Sequence, residues 1–373
     1  MKTIHRFTVE EKVGQIFFLG FNGPAPDPET QAMLDFIRPG GFVLSRRNIE
    51  SLDQLYGLTQ RLTDGNALPA FVAVAQEGAP VDRLKPLFGA LPPLRSVADA
   101  GMTHLRQFAR IIALESQAAG FNTVLAPVLD LSVPGAVMCN RAFSTDPLET
   151  SRLAAAFCEE LHNNGVLACG KHFPGLGAAR TDPHFGLPRI GKSRRELLQE
   201  DVVPFLNLLD VAPMLMVGHA YYPDLMDGRP APASLSPRIV ESLLRRKYGF
   251  HGVIVTDDLA MGAVNSLGLT SDLFLQAFEA GNDMMLFSQT TPLVERAFRA
   301  LCREFRKSPA FRARLDQSVQ RIRSLKQRMQ PASLRFRFRL QRRIERQIDR
   351  LTATIDAQAR FSAARVETGP PPL

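Results

Sequence analysis

The sequence predicts an α/β protein, a (β/α)8 TIM-type barrel with a C-terminal helical extension, from two features of its apolar pattern. Eight short apolar runs alternate with amphipathic segments over about 300 residues, as in such a barrel. The runs FVAVA (71–75) and VIV (253–255) are apolar throughout, which is typical of parallel strands covered on both faces. A doubly wound parallel sheet has the same alternation and is the alternative fold.

Strands are predicted where a short apolar run ends in glycine or in polar residues. The eight predicted strands are 14–21, 41–45, 70–76, 123–131, 165–173, 213–219, 252–258 and 283–288. Helices are predicted between them, where apolar residues recur at intervals of three and four. These seven segments are 29–37, 52–62, 102–118, 147–163, 193–210, 237–247 and 271–280.

The composition indicates a soluble, cytoplasmic protein. Of the 373 residues, 45% are apolar and 22% are charged, and no apolar run approaches the roughly 18 residues of a membrane span. The first residues, MKTIHRFTVEEKVGQ, lack the pattern of a signal peptide. The four cysteines have no CxxC spacing and are expected to be reduced thiols. Seven scattered histidines predict no metal site, and no cofactor is expected.

A change of pattern predicts two regions, a barrel over 1–305 and a basic, mostly helical extension over 306–373 with a disordered end. The net charge of +8 is concentrated here, since residues 301–350 hold 16 Lys and Arg against 4 Asp and Glu. An apolar stripe at helical spacing is formed by Leu340, Ile344, Ile348, Leu351 and Ile355. The stripe either packs on the barrel or mediates oligomerisation. No nucleic-acid partner is expected, although the Arg-rich flanks leave binding to nucleic acid or anionic lipid open.

Polar residues close several of the predicted strands, at the end of a barrel where active sites are built. They are Gln76, Glu77, Asp130, Lys171, His172, His219, Thr256, Asp257 and Asp258. A Gly- and Pro-rich loop, 171–188, carries Asp182 and His184 near its far end. Loops of this length inside a compact domain are often functional, and an Asp-x-His pair is a carboxylate-oriented imidazole. For this loop alone, a solvated surface segment is the alternative.

Five segments occur together in a fixed order along the chain. They are PGGFVLSRRNI (39–49), VAQEGAPVDRL (74–84), LAPVLDL with CNRAFSTDP (125–147), KHFPGLG with DPHFGLP (171–188), and LMVGHAYYP, LSP and GFHGVIVTDDLAMGA (215–263). In combination they resemble family-3 glycoside hydrolases, particularly the single-domain bacterial β-N-acetylglucosaminidases of cell-wall recycling. The resemblance implies retaining hydrolysis of a small carbohydrate substrate, a β-N-acetylglucosaminide such as a peptidoglycan fragment.

The resemblance also implies roles for the matching side chains. Asp257, the first Asp of VTDDL, matches the nucleophile that forms a glycosyl-enzyme. His184 matches the acid/base and Asp182 its partner, while Asp258 is expected to interact with the following helix. The side chains that the resemblance implies in contact with the sugar or its N-acetyl group are Lys171, His172, Arg141 and Arg83.

Five positions depart from the pattern of that family, namely Ala75, Pro80, Leu176, Ala178 and Pro183. The family has Asp in place of Ala75, and that Asp holds distal hydroxyls of the sugar, so the substrate preference is predicted to be altered. Pro183 restricts its own backbone and that of Asp182. The alternative hypothesis is a catalytically silent barrel that acts as a binding or scaffold protein.

Overall fold

The computed structural model describes residues 7–64, 68–228, 230–268, 270–329 and 337–367, and its main feature is a ring of eight parallel strands. The strands are β1 (Phe17–Leu19), β2 (Gly41–Leu44), β3 (Phe71–Val74), β6 (Thr123–Val124), β7 (Leu167–Phe173), β8 (Met214–Val217), β9 (Val253–Thr256) and β10 (Met285–Phe287), with a separate hairpin of β4 (Gln76–Gly78) and β5 (Val81–Asp82). The order is β10-β1-β2-β3-β6-β7-β8-β9. The ring closes where the Thr256 amide donates to the Met284 carbonyl at 3.1 Å. The predicted (β/α)8 barrel is confirmed, and the open doubly wound sheet is wrong.

Every strand of the barrel is shorter than the apolar run that predicted it. The run 14–21 is also corrected in its type of element, because residues 14 and 15 belong to the helix Val9–Gln15 and β1 begins only at Phe17. Thr8 starts this helix with a capping box, in which its hydroxyl accepts from the Glu11 amide and the Glu11 carboxylate accepts from the Thr8 amide. Apolar residues at the end of a buried helix and in a buried strand look alike in sequence.

All seven predicted helical segments are present, with one interruption. The predicted helix 193–210 consists of two short pieces joined by a π-helical turn, which accommodates Pro204 because proline has no amide to donate. The α-helices are Val9–Gln15, Pro28–Ile37, Leu52–Asp64, Lys85–Phe88, Leu94–Asp99, Met102–Ala118, Pro147–Asn163, Arg194–Glu196, Val203–Leu206, Gly262–Asn265, Ser271–Glu279, Pro292–Lys307, Pro309–Lys326 and Arg337–Glu367, and the π-helical segments are Leu197–Asp201 and Arg238–Lys247. In the described parts of the chain, no helix has both the length and the apolar character that crossing a membrane requires.

The C-terminal helix Arg337–Glu367 packs on the outside of the barrel, against the helices Lys85–Phe88 and Met102–Ala118. The apolar stripe predicted from the sequence forms the contact, with Leu340 partly buried and four side chains almost fully buried, namely Ile344, Ile348, Leu351 and Ile355. Of the alternatives for the stripe, packing on the barrel is therefore the one observed. The predicted domain boundary at residue 305 stays a prediction, and residues 368–373 of the predicted disordered end lie outside the described residues.

Replacing Ile344 by Ala is expected to lower the free energy of unfolding by about 2–5 kcal/mol, because Ile344 is 0% exposed and its truncation leaves a cavity under the helix. Thr354→Ala, on the exposed face of the same helix, is the matched control and is expected to cost less than about 0.5 kcal/mol. Urea denaturation followed by circular dichroism measures both values. Equal stability of the two variants would contradict the packing of this helix on the barrel.

Candidate active site

Strand ends and loops at the carboxyl end of the barrel enclose a cavity of about 430 Å³. Apolar side chains from several strands contribute to its lining, including Val43, Leu125, Met216 and Leu286. The seven residues that the sequence predicted for the site all line this one cavity, namely Asp257, His184, Asp182, Lys171, His172, Arg141 and Arg83. The barrel thus brings together side chains that lie up to 174 positions apart in the sequence. Cavities of this size bind small molecules.

A buried carboxylate organises two of the predicted cations. Glu77, in β4, accepts two hydrogen bonds from the guanidinium of Arg141 at 2.8 and 2.9 Å, and the Lys171 ammonium lies 2.5 Å from its Oε1. Burial by itself raises the pKa of the Glu77 carboxyl, but the charges of Lys171 and Arg141 outweigh it and lower the pKa to about 2. The cluster therefore carries one anion and two cations, and both cations are held at the cavity wall.

His172 is oriented by a second buried carboxylate. Its ring Nδ1 lies 2.7 Å from Oδ2 of Asp130, which is fully buried. Oδ1 of Asp130 accepts from the backbone amides of Leu176 at 2.6 Å and His172 at 3.3 Å. Because a carboxylate only accepts, Nδ1 carries the proton and Nε2 is left for the cavity. The same contacts fix the start of the loop 171–188.

Asp257 follows directly after β9, and its amide donates to the Val217 carbonyl of β8 at 2.9 Å. Its Oδ1 accepts from the Asp258 amide at 2.8 Å, so Oδ2 is the oxygen without a backbone donor among the described residues. Burial opposes ionisation of this carboxyl, yet its pKa is lowered below the ordinary value because His172 and His219 lie close and the Asp258 amide donates to it. Asp257 is therefore an anion at neutral pH.

Asp258 has a structural role, but its side chain bonds to the turn that precedes the following helix Gly262–Asn265 and not to the helix as predicted. Its Oδ1 accepts from the amides of Ala260 and Ser288, both at 3.0 Å, which fixes the turn after β9. Its carbonyl lies 3.0 Å from Nε2 of His219, whose Nδ1 lies 2.8 Å from the Ser234 hydroxyl. Burial lowers the pKa of His219, and because a carbonyl only accepts, Nε2 of this ring carries a proton.

The Asp182–His184 pair lies at the rim of the cavity. Oδ1 of Asp182 accepts from the His184 amide at 2.9 Å and lies 2.7 Å from its Nδ1. Partial burial raises the pKa of Asp182, but these two bonds outweigh it and the pKa is lowered. The His184 side chain is 63% exposed, so its Nε2 is accessible to a ligand and to water.

Backbone contacts dock this loop on the helix that follows Asp257. The amides of Gly262 and Ala263 donate to the carbonyls of His184 and Pro183 at 3.2 and 2.9 Å. A Cβ on Gly262 would lie 2.4 Å from the His184 carbonyl oxygen, so only glycine permits this approach. The histidine and Asp257 are thus mounted on adjoining pieces of chain.

The remaining predicted cation, Arg83, also lines the cavity, as do Ala75, Pro80 and Val81 of the same stretch of chain. Within the described residues, its guanidinium has neither a hydrogen bond nor an ion pair, in contrast to Arg141. The side chain of Ala75 is half-buried and contributes no polar atom. Arg83 therefore lines the cavity without an ion pair among the described residues, and position 75 supplies no carboxylate.

Comparison with known proteins identifies the family. A sequence model described as the glycosyl hydrolase family 3 N terminal domain matches residues 8–325. The chain belongs to glycosyl hydrolase family 3. A relative of this family-3 chain, a β-hexosaminidase of Pseudomonas aeruginosa, is 36% identical over 278 residues, which cover 74% of this chain and 82% of the relative.

Solved structures of the family share the barrel. A fungal multi-domain family-3 β-N-acetylglucosaminidase superposes with a TM-score of 0.85 at 31% identity over 92% of this chain, which spans 43% of that protein. A family-3 β-N-acetylglucosaminidase from Paenibacillus sp. str. FPU-7 superposes with a TM-score of 0.83 at 29% identity, covering 91% of this chain and 68% of the other. The C-terminal helix Arg337–Glu367 lies beyond the part that matches the family model.

Two members of this family-3 site, Glu77 and Asp130, were predicted only as polar residues at strand ends and were assigned no role. Each is a buried carboxylate that holds side chains already predicted, namely Lys171 with Arg141 and His172 respectively. The signal that identifies them is present in the sequence, because both are acidic residues at the end of an apolar run. A buried acid at such a position requires a cationic or hydrogen-bonding partner.

Proposed function

We propose that this protein is a retaining β-N-acetylhexosaminidase that acts on N-acetylglucosaminides such as peptidoglycan fragments. The observation that carries the proposal is the shared cavity of an ionised, strand-end Asp257 and the Asp182–His184 pair. Retaining glycosidases need a nucleophile and a separate acid/base on the two sides of a glycosidic bond. The names of the family-3 relatives, β-hexosaminidase and β-N-acetylglucosaminidase, support the same activity.

In the first step, Oδ2 of Asp257 attacks the anomeric carbon and the bond to the leaving oxygen breaks. His184 is protonated at Nε2 and gives this proton to the leaving oxygen, while its Nδ1 proton stays on the hydrogen bond to Asp182. The carboxylate of Asp182 stabilises the protonated imidazole before the transfer. The product of this step is a glycosyl ester of Asp257 and a free alcohol.

In the second step, Nε2 of His184 removes a proton from water, and the oxygen of that water attacks the anomeric carbon. The ester bond to Asp257 breaks and the carboxylate is regenerated, so the configuration at the anomeric carbon is retained. The exposure of His184 to solvent gives water a path to this position. One protonation cycle of one imidazole therefore serves both steps.

We assign sugar binding to the four cationic or imidazole side chains of the cavity, Lys171, His172, Arg141 and Arg83. Glu77 uses part of the donor capacity of Lys171 and Arg141 and fixes their direction, which leaves further N–H groups for sugar hydroxyls and an acetamido carbonyl. His172 presents Nε2 because Asp130 holds its other nitrogen.

We also assign the protein to the cytoplasm, since all four cysteines are free.

Incubation with a 5-fluoro N-acetylglucosaminyl fluoride, which keeps the acetamido group at C2, tests the proposal, and covalent labelling of Asp257 is the expected result. The fluorine destabilises the positive charge of the second transition state, so the glycosyl ester accumulates. Peptide mass spectrometry identifies the labelled residue. A label on another side chain, or an absence of turnover of chromogenic β-N-acetylglucosaminide and β-glucoside by the intact protein, would overturn it.

Ala75→Asp is expected to raise kcat/KM on an N-acetylglucosaminide by about tenfold to a hundredfold, the range of one hydrogen bond to a charged acceptor. The new carboxylate would join the lining of a cavity in which Arg83 has no ion pair among the described residues. Ala75→Val, which adds volume without an acceptor, is the control and is expected to lower kcat/KM. A loss of activity in both variants would indicate that the cavity beside Ala75 is adapted to a sugar that lacks the distal hydroxyl held by Asp in the family pattern.

A further inference from the structure

The segment from Asp82 to Leu91 carries Arg83 to the rim of the cavity. It leaves the hairpin of β4 and β5, forms the short helix Lys85–Phe88, and returns to the barrel at Leu91. The guanidinium of Arg83 has no partner among the described residues, so no side-chain contact holds it in place. Its position therefore depends on the backbone of the segment 82–91.

The inner support of this segment is the side chain of Gln76, which is fully buried. Its carbonyl oxygen accepts from the amides of Arg83 at 2.8 Å and Leu84 at 3.2 Å. Its amide nitrogen donates to Asp82 at 2.8 Å and to Glu115 at 2.9 Å. All hydrogen-bonding positions of the Gln76 amide are therefore used, and its orientation is fixed by the two backbone donors.

The two carboxyl groups that accept from Gln76, those of Asp82 and Glu115, connect this segment to other parts of the protein. Oδ2 of Asp82 accepts from the Leu91 amide at 2.8 Å, which closes the segment on itself. Glu115 belongs to the helix Met102–Ala118, so it anchors the support to the outer layer of the barrel. Burial, with the nearby charge of Asp82, raises the pKa of Glu115 well above its ordinary value.

The outer support comes from the C-terminal helix. The side-chain amide of Gln341 donates to the Leu87 carbonyl at 2.7 Å. Carbonyls in the last turn of a helix have no partner within the helix, so Gln341 supplies the donor that the short helix Lys85–Phe88 lacks. Ile344, buried one turn further on, fixes the position of Gln341 along the barrel. The same C-terminal helix packs on Met102–Ala118, which carries Glu115.

We propose that the C-terminal helix Arg337–Glu367 is a positioning element of the sugar site, which holds the segment 82–91, and with it Arg83, through Gln341. This inference rests on the proposed function, in which Arg83 binds the sugar. Packing alone requires only the apolar stripe, whereas the bond from Gln341 ties the helix to the backbone beside the site. A binding group that is fixed before the ligand arrives gives tighter binding than a mobile one.

Gln341→Met tests the inference, because methionine keeps the side-chain length and helix propensity but cannot donate to Leu87. KM for a chromogenic β-N-acetylglucosaminide is expected to rise by about threefold to tenfold, the loss that one hydrogen bond corresponds to, while kcat changes less than about twofold. Gln347→Met, at a half-buried glutamine of the same helix beside Arg106 and Arg110, is the matched control with unchanged KM. Gln341→Lys, which keeps a donor, is expected to recover the wild-type KM.

Hydrogen exchange of the amides of Arg83, Leu84 and Leu91 gives a second readout that does not depend on turnover. Faster exchange of these amides is expected in Gln341→Met and not in Gln347→Met, with the rest of the barrel unchanged in both. An unchanged KM together with unchanged exchange in Gln341→Met, in an active wild-type enzyme, would overturn the positioning role alone. A wild-type protein without activity on any β-glycoside would overturn the proposed function, and the role in sugar binding with it.

Discussion

Asp257→Asn is expected to lower kcat/KM on an aryl β-N-acetylglucosaminide by on the order of 10⁴-fold or more, the range that loss of a nucleophile produces in other enzymes with covalent intermediates. The amide keeps the size of the side chain and an oxygen for the Asp258 amide, so the turn after β9 remains intact. It has no negative charge to attack the anomeric carbon or to stabilise positive charge on the sugar ring. Steady-state kinetics with the substrate in large excess over the enzyme measure the loss.

Two companion variants make this result specific to the nucleophile. Asp258→Asn retains an oxygen for the amides of Ala260 and Ser288 and is expected to lose less than about tenfold. Asp257→Ala opens space beneath the sugar, so added azide is expected to attack there and to give a glycosyl azide of inverted configuration. Equal losses in Asp257→Asn and Asp258→Asn, or no azide product, would show that another side chain is the nucleophile.

The positions of the proposed site residues could be predicted because they follow from one regular feature. In a parallel barrel every strand ends at the same face, so the polar residues that close apolar runs, such as Lys171 and Asp257, must lie around one opening. The loop with His184 is recognisable by its length and its Gly and Pro content. These signals are local in sequence, and the closure of the barrel brings the residues that carry them to one cavity.

The supports behind these side chains are not local and have no such signal. Glu115 lies 39 residues from Gln76, and Gln341 lies 254 residues from Leu87. Each appears in the sequence as an ordinary polar residue of an amphipathic helix, where a solvated position is the usual outcome. Only the packing of Met102–Ala118 and Arg337–Glu367 on the barrel determines which of their polar side chains face inward.

For the C-terminal helix, too, the sequence pattern did not determine which part of the barrel it contacts. Its apolar stripe predicted a packed face, but the partner of that face was not determined by the periodicity. The basic character of the region is unrelated to the contact, since Arg342, Arg343, Arg346 and Arg350 are exposed. A helix that the family model does not include is thus joined by Gln341 to the backbone that carries Arg83.

His184→Ala is expected to lower kcat/KM by about 10²- to 10⁴-fold on a disaccharide, whose leaving oxygen needs a proton, because general acid catalysis contributes this range. On a 2,4-dinitrophenyl glycoside, which leaves as a stable anion, formation of the glycosyl-enzyme is expected to lose far less. Breakdown of the ester still lacks its general base, so a burst of dinitrophenol followed by slow turnover should appear. Stopped-flow absorbance measures the burst.

Asp182→Asn removes the negative charge beside His184 and so tests whether His184 is the proton donor. The pKa of Asp182 is lowered, so its carboxylate is charged in the working range of pH and favours the protonated imidazole that donates to the leaving group. Without that charge, the fall of kcat/KM with rising pH is expected to begin at a lower pH than in the wild type, on the disaccharide but not on the dinitrophenyl glycoside. Since Nδ1 of His184 lies 2.7 Å from Asp182, a shift confined to the disaccharide would assign the proton donor to His184. Identical pH profiles for the variant and the wild type would remove His184 from the role of acid/base.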